Sequence, residues 1–354
     1  MRTEAFAHTK PGTPTVKEVA KRAGVSTATV SRALSGSAPV REPLRSRVLE
    51  IARSLSYQPN RAARDLRARS SRAVGVLIPD IENPFFTSVV CGIEDVLKKT
   101  DYSMLLANYN EDPAQEARRL EVFRAEGVCG LIFAASRVPS PLYAELGKAG
   151  MALVAVSRAV HRLRVDQVTV ANRDGAHAAT AHLIQLGHRR VAIINGPMAF
   201  TTARDRQAGY EDALREAGLP IDASLVRHGD FKHSVGYSAT QQLLDLPLPP
   251  TAVFAGSNLL TLGALQAIHE RHLDIPRQIA IIGFDDMAWA ISLRPPLTTV
   301  AQPAFEAGRT AANLLIARVR EPGLPRRQVV LETQLVVRSS CGASGKGSDM
   351  TTFR

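Results

Sequence analysis

The residues best suited to chemistry fall into two sets. The first lies in TVKEVAKRAGVSTATVSRALS, residues 15–35. Val16, Val19, Ala20 and Ala23 recur at three- and four-residue spacing, so one helical face is apolar. Gly24 ends that helix, Val25 keeps an apolar contact in the turn, and Ser26 is suited to cap a second helix over about Thr27–Leu34. Two short helices joined by a glycine turn form a helix-turn-helix, whose second helix can enter a DNA major groove. Thr27 and Ala28 would present methyl groups to a thymine methyl there. Arg32, one turn on, would reach guanine or a phosphate. The second set follows short apolar runs: Phe85 and Phe86 after AVGVLIP, Ser136 after GLIFAA, Ser157–Arg158 closing ALVAVS, Ser257 closing AVFAGS, Asp285 after IAIIGF. Aromatic rings stack on a sugar face, and hydroxyls and carboxylates hydrogen-bond its hydroxyls. Phe85 reads as the better placed of the two rings, with Phe86 starting a helix.

The elements that position these residues follow from the pattern around them. After the helix-turn-helix, REPLRSRVLEIARSLSY reads as a third helix with Leu44, Val48, Ile51, Ala52 and Leu55 buried and Pro43 in its first turn. Pro59 stops it. Asn60 can cap a short segment, Arg61–Arg67, too short to be stable alone and carrying like charges at Arg61 and Arg64. It reads as helical only when phosphates neutralise it. Leu66 is either a wedge for a minor-groove step or a linker side chain packed on the next domain. Beyond residue 72, apolar runs alternate with helical stretches such as Phe86–Thr100, Pro113–Glu126, Gly175–Leu186 and Ser234–Leu246. Such alternation predicts parallel α/β sheets with strands buried on both faces. Two such halves put the strand ends at one cleft.

Charge and composition agree. Residues 1–72 hold 15 Lys and Arg against 5 Asp and Glu, whereas residues 73–354 hold 29 against 28. A basic head on a neutral body is the footprint of polyanion binding. With 354 residues, 45% of them hydrophobic, the chain has enough core for two or three domains. No apolar run approaches the roughly 18–20 residues of a membrane span. The N-terminus lacks the apolar region of a secretory signal, and three cysteines make neither a disulfide framework nor a zinc site. The reading is cytoplasmic. His269 and His272 share a helical face without a third ligand, and GASGKG (342–347) lacks the spacing of a phosphate loop. No nucleophile elbow or zinc-protease motif occurs, so neither catalytic nor metal residues, and no cofactor, are expected.

In combination these segments resemble the lactose/galactose repressor (LacI/GalR) family of bacterial transcription regulators. The likeness runs through TVKEVAKRAGVSTATVSRALSG and SLSYQPNRAARDLRARSSRAVGVLIPDIENPFF. It continues in LIQLGHRRVAIINGP (183–197), RDRQAGYEDALREAG (204–218), AVFAGSNLLTLGAL (252–265), IAIIGFDDMAWA (279–290) and LETQLVVRSS (331–340), and so covers about residues 15–340. It implies an all-α helix-turn-helix DNA-binding head plus an α/β two-lobed effector domain like a periplasmic binding protein. Thr27, Ala28 and Arg32 fall at the family's base-reading positions. Asn60, Arg61, Ala63 and Leu66 belong to a hinge helix in the minor groove, where Leu66 matches an intercalating leucine. In the cleft, Arg206 matches the arginine of an R-x-x-G pattern, Asp285 the cleft aspartate and Phe231 a stacking aromatic. Thr202 and Phe200 lie in the loop after residues 190–196. Phe200 stands where purine-responsive members carry arginine, which favours a sugar or sugar derivative. The expected effector set is therefore Phe85, Ser136, Ser157, Thr202, Arg206, Phe231, Ser257 and Asp285. Ser157 and Asn258 stand where the family usually carries acidic residues, so the resemblance implies one sugar-hydroxyl acceptor fewer at Ser157 and the loss of a fixed negative charge at Asn258. Asp286 reads as a helix cap.

The resemblance further implies a flexible N-terminus (1–14), a head (15–58), a hinge and linker (59–72), an effector-binding and dimerisation domain (73–340) and a disordered tail (341–354). Three crossovers would divide the body into one lobe of about 73–169 and 300–329 and a second of about 170–299 and 330–340. The tail carries no heptad of the kind that builds tetramers, so a homodimer on palindromic double-stranded DNA is expected. The body alone also fits a sugar-binding transport receptor without DNA function, against which the basic head argues.

Overall fold

The computed structural model describes residues 14–35, 40–57, 72–161 and 163–343. The chain forms two compact units that divide after Ser71. Asn60, Arg61, Ala63 and Leu66 lie outside the described residues, as does the tail from residue 344.

The first unit contains α1 (Val16–Ala23), α2 (Thr27–Ser35) and α3 (Glu42–Ser54). Thr15 caps α1 by accepting from the Glu18 N–H at 3.4 Å, and Gly24 ends it in the left-handed region at φ 67°. A residue with a Cβ is disfavoured there. Ser26 Oγ accepts from the Thr29 N–H at 3.2 Å, opening α2. Val19, Ala20, Ala23, Val30, Ala33, Val48 and Ala52 form the buried centre, with Leu44, Ile51 and Leu55 half-buried around it.

The second unit holds two six-stranded sheets. The first has spatial order β11 (Gln328–Leu331), β5 (Asp166–Val170), β4 (Ala152–Val156), β3 (Gly130–Phe133), β1 (Ala73–Ile78), β2 (Ser103–Asn108), all parallel. The second runs β12 (Gln334–Val336), β10 (Thr298–Ala301), β9 (Ala280–Phe284), β8 (Ala252–Ala255), β6 (Val191–Asn195), β7 (Val226–His228), with only β12 antiparallel. Helices cover both faces of each sheet. In the first lobe these are α4 (Pro84–Leu97), α5 (Pro113–Ala125), α6 (Leu142–Lys148) and the later α11 (Ala304–Arg320). In the second they are α7 (Asn172–Gln185), α8 (Thr201–Glu216), α9 (His233–Leu244) and α10 (Asn258–Glu270). Each sheet is thus sandwiched between two apolar clusters. That is why the central strands read as unbroken apolar runs. β2 departs from this: it is an edge strand with Leu105 and Leu106 exposed.

The chain crosses between lobes after Val170, Ala301 and Leu331. The expected tail begins too early at Cys341. That residue is fully buried, with Sγ 3.3 Å from His182 Nε2 and accepting from Thr298 Oγ1 at 3.2 Å, so it belongs to the second lobe. No helix among the described residues is long and apolar enough to cross a membrane.

Candidate functional site

In the first unit, Thr27, Ala28 and Arg32 are all exposed on α2. Ala28 and Arg32 are four residues apart, so they share one face. Among the described residues the Arg32 side chain makes a single, long hydrogen bond, Nε to the Ala28 carbonyl at 3.4 Å, which leaves its fork available.

In the second unit the cleft is built from loops at the strand ends. On the first lobe, Asn83 caps α4 by accepting from the Phe85 N–H at 3.0 Å. Pro84 in the first turn fixes the entry. Phe85 and Phe86 are both buried just inside it, edge to face at 5.1 Å. After β4, Ser157 takes the left-handed region at φ 68° and Arg158 folds inward. The Arg158 guanidinium makes a bidentate pair with Glu111, one arm at 2.9 Å, and donates to the Ala135 carbonyl at 2.9 Å. Burial opposes its charge, but the Glu111 carboxylate overcomes this and holds its pKa above the ordinary arginine value.

On the second lobe, Thr202 and Arg206 sit one turn apart on the inner face of α8, both buried. Arg206 donates from Nε to Asn172 Oδ1 at 2.9 Å and from Nη1 to the Gly256 carbonyl, and its Cζ lies 3.7 Å from the Phe284 ring centroid. It has no ion pair among the described residues. Burial lowers its pKa to about 10, partly offset by the fields of Asp285 and Asp205. Phe231 stacks on Phe200, the centroids 6.3 Å apart and the planes at 18°. Gly196 makes this stack feasible, since a Cβ there would lie 2.0 Å from the Phe231 ring. Ser257 caps α10 through the Leu260 N–H at 3.3 Å. Asp285, at φ 79°, accepts from the Asn258 backbone N–H at 3.0 Å, from Asn258 Nδ2 at 2.8 Å and from Gln302 Nε2.

These walls enclose an inner chamber of about 40 Å³ lined by Phe85, Ser157, Thr202, Arg206, Phe231, Ser257 and Asp285, with Asn83, Phe86, Arg158 and Gln302. An outer chamber of about 270 Å³ shares Asn83, Phe86, Arg158 and Phe231 with it. Ion pairs join the lobes at its rim, Lys232 to Asp80 at 2.9 Å and Arg137 to Asp230 at 3.7 Å. Seven of the eight expected effector residues are therefore neighbours.

Ser136 is the exception. Its N–H and hydroxyl both donate to the fully buried Glu116 carboxylate, at 2.8 and 2.7 Å, and it lines an adjoining groove of about 760 Å³ that shares Arg137, Arg158 and Phe200 with the outer chamber. Two further expectations are corrected. Phe86 lines both chambers and Phe85 only the inner one, because the helix starts at Pro84 and both rings fall in its first turn. Asp286 is not a helix cap but the partner of Arg338, at 2.7 and 2.9 Å. The sequence reading passed over Asn83 and Gln302. The Asn-Pro dipeptide that opens α4 was a usable signal for the first; Gln302 lies in a crossover with no local pattern.

Comparison with known proteins bears on the whole chain. The family described as "Bacterial regulatory proteins, lacI family" matches residues 15–60, and "Periplasmic binding protein-like domain" matches residues 180–341. The HTH-type transcriptional repressor CytR of Escherichia coli K12 is 35% identical over 329 residues, 93% of this chain and 96% of the relative. The chain belongs to the LacI family. The ribose operon repressor of the same organism is 35% identical over 327 residues, 92% of this chain and 99% of its own. Among solved structures, the lac repressor dimer bound to operator and the anti-inducer ONPF aligns with a TM-score of 0.83 at 25% identity, over 93% of this chain and 99% of that one. As a LacI-family member the chain is a DNA-binding transcription regulator with an α/β effector domain, and the relatives it matches over most of their length are repressors.

Proposed function

We propose that the protein represses transcription as a homodimer on a palindromic operator, and that a sugar or sugar derivative bound between its lobes sets its operator affinity. The observation that carries this reading is the convergence of seven side chains from both lobes on one chamber, in a chain whose head exposes Thr27, Ala28 and Arg32. The chamber has the chemistry of a polyol site. Phe85 and Phe231 offer faces for a sugar's C–H surface. Asp285 accepts hydroxyl protons, and the Arg206 fork donates to vicinal hydroxyls or a carboxylate. Ser157, Thr202 and Ser257 do either. The relative named for the ribose operon makes D-ribose the first compound to try.

The division of labour follows: residues 15–58 read bases, 59–72 form the hinge in which Asn60, Arg61, Ala63 and Leu66 meet the minor groove, and 73–340 bind effector and dimerise. The protein works in the cytoplasm, where its operator is, and performs no catalysis. An effector touching both lobes changes their relative placement and so the spacing of two hinge segments. A coupling of roughly 1–3 kcal/mol changes operator affinity about 5–150-fold.

Two measurements on the full chain test this. A sugar at about 100 times its dissociation constant adds roughly 2.7 kcal/mol, a rise of several degrees in Tm. No rise with D-ribose or with a panel of sugars and sugar acids would overturn the sugar reading. Operator binding with about eight phosphate contacts per dimer gives a log–log salt slope near −7, and a flat slope would overturn the operator reading.

A further inference from the structure

The inner chamber is small for its furniture. About 40 Å³ holds roughly three water molecules, whereas ligand clefts run to about 300–1,000 Å³. Besides the rim ion pairs, the Ala159–Thr201 bond and the Phe200–Arg158 contact, one side chain bridges the lobes at the inner chamber itself. Asn258, 1% exposed at the start of α10, donates from Nδ2 to Asn83 Oδ1 of the first lobe at 2.9 Å and to Asp285 Oδ2 of the second at 2.8 Å. Its orientation is dictated by its neighbours. Asn83 Oδ1 already accepts from the Phe85 N–H, so it is an oxygen, and the Asp285 carboxylate only accepts. Both facing groups therefore require a donor, and the Asn258 carbonyl turns away to a position without a hydrogen-bond partner among the described residues. Leaving that buried oxygen unmatched costs free energy, so the arrangement is held by the two bonds made across the cleft and to Asp285.

We infer that Asn258 is an interlobe latch: its side-chain amide ties the helix cap of the first lobe to Asp285 of the second and sets the cost of opening the inner chamber. Aspartate has the same shape with the opposite demand. It would set a carboxylate against Asp285 and against Asn83 Oδ1, converting two attractions into two repulsions. The latch belongs to the chain itself and its test uses no ligand, so it stands or falls apart from the effector assignment.

A reporter exists on the other side of the cleft. The Ala159 N–H of the first lobe donates to Thr201 Oγ1 of the second at 3.0 Å, and neither residue is among the partners of Asn258. Hydrogen exchange at Ala159 thus reports lobe separation. In the full chain, Asn258→Asp is expected to speed that exchange tenfold or more. Asn258→Ala and Asn83→Ser, which leave the Ser257 and position-83 caps in place, are expected to speed it at least threefold each. The double variant Asn83→Ser/Asn258→Ala should be no faster than the faster single, since both remove one bond. Unchanged exchange at Ala159, with changes confined to residues 257–262, would overturn the latch in favour of a local role at the start of α10. Effects of the two single variants that multiply in the double would overturn it as well. Should Asn258→Asp fail to fold, the alanine and serine cycle alone decides.

Discussion

The two walls of the cleft each bury an arginine, and the two are alike in all but one respect. Arg158 on the first lobe and Arg206 on the second are both 5% exposed, and each has an aromatic ring centroid 3.7 Å from its guanidinium carbon, Phe200 and Phe284 respectively. Arg158 faces a carboxylate and Arg206 does not. The consequence shows in their acidities, which move in opposite directions from the common starting value. Arg158 bonds through Nη1 and Nη2 to Glu111, and through Nη1 to Tyr109 and Ala135. Arg206 keeps Nη2 without a partner among the described residues, beside Asp285 and in a chamber of polar and aromatic side chains. Burying a cation without a carboxylate partner is costly, which is why Arg206 is the arginine proposed to meet the effector and Arg158 the one assigned to structure. Arg32 of the head completes the series as an exposed arginine with a single weak hydrogen bond among the described residues.

The sharpest way to break this contrast is Arg158→Ala. It strands the Glu111 carboxylate, and breaking such a pair costs about 3–5 kcal/mol. Melting should therefore fall by about 10 °C. A loss within 2 °C by calorimetry would mean that the pair is solvated and the contrast false. Next comes Arg206→Lys. Lysine keeps the charge but lacks the fork that serves Asn172, Gly256 and a ligand together. The variant should melt within a few degrees of the parent yet lose most of the roughly 2.7 kcal/mol that a saturating sugar confers. A full sugar-induced shift would move the binding role elsewhere on the wall.

How far this arrangement was legible depends on range along the chain. Val74–Ile78 and Ile279–Phe284 announce themselves because strands buried on both faces must be apolar throughout. β5, β7, β11 and β12 do not. They are short, three of them are edge strands and β5 lies next to one, and DQVTV or QLV carries too little pattern to separate from a loop. The end-of-strand rule places Ser157, Ser257 and Asp285 beside one chamber, since parallel strands deliver their carboxyl ends to one cleft. The same rule misled at Ser136. Its partner Glu116 is 20 residues away on α5, and nothing local says that a serine hydroxyl is already taken. Arg206 and Phe231 rested on likeness to a family, because their neighbours Phe284 and Gly196 are contacts made only in the folded body.

Beyond the cleft, Arg32→Ala extends the series to an arginine whose partner is DNA. It should leave melting unchanged within 1 °C, because little is buried with it, while weakening operator binding by roughly 1–3 kcal/mol and relaxing base preference at one position per half-site. An unchanged preference in a competition assay would reduce Arg32 to a phosphate contact.

The smallest effect sharpens the comparison most. Phe200 stacks against Arg158 from the opposite lobe, so the first lobe's arginine is secured twice, by Glu111 within its lobe and by a ring across the cleft. Phe200→Leu keeps apolar bulk and removes the ring's negative face. A desolvated cation–π contact is worth about 0.5–2 kcal/mol. Melting should fall by roughly 2–5 °C. Phe200→Leu should cost less in the Arg158→Ala background than it does alone, because the guanidinium that the ring contacts is already gone. Losses that simply add would mean that ring and guanidinium do not interact, leaving Arg158 held from its own lobe alone, by Glu111, Tyr109 and Ala135.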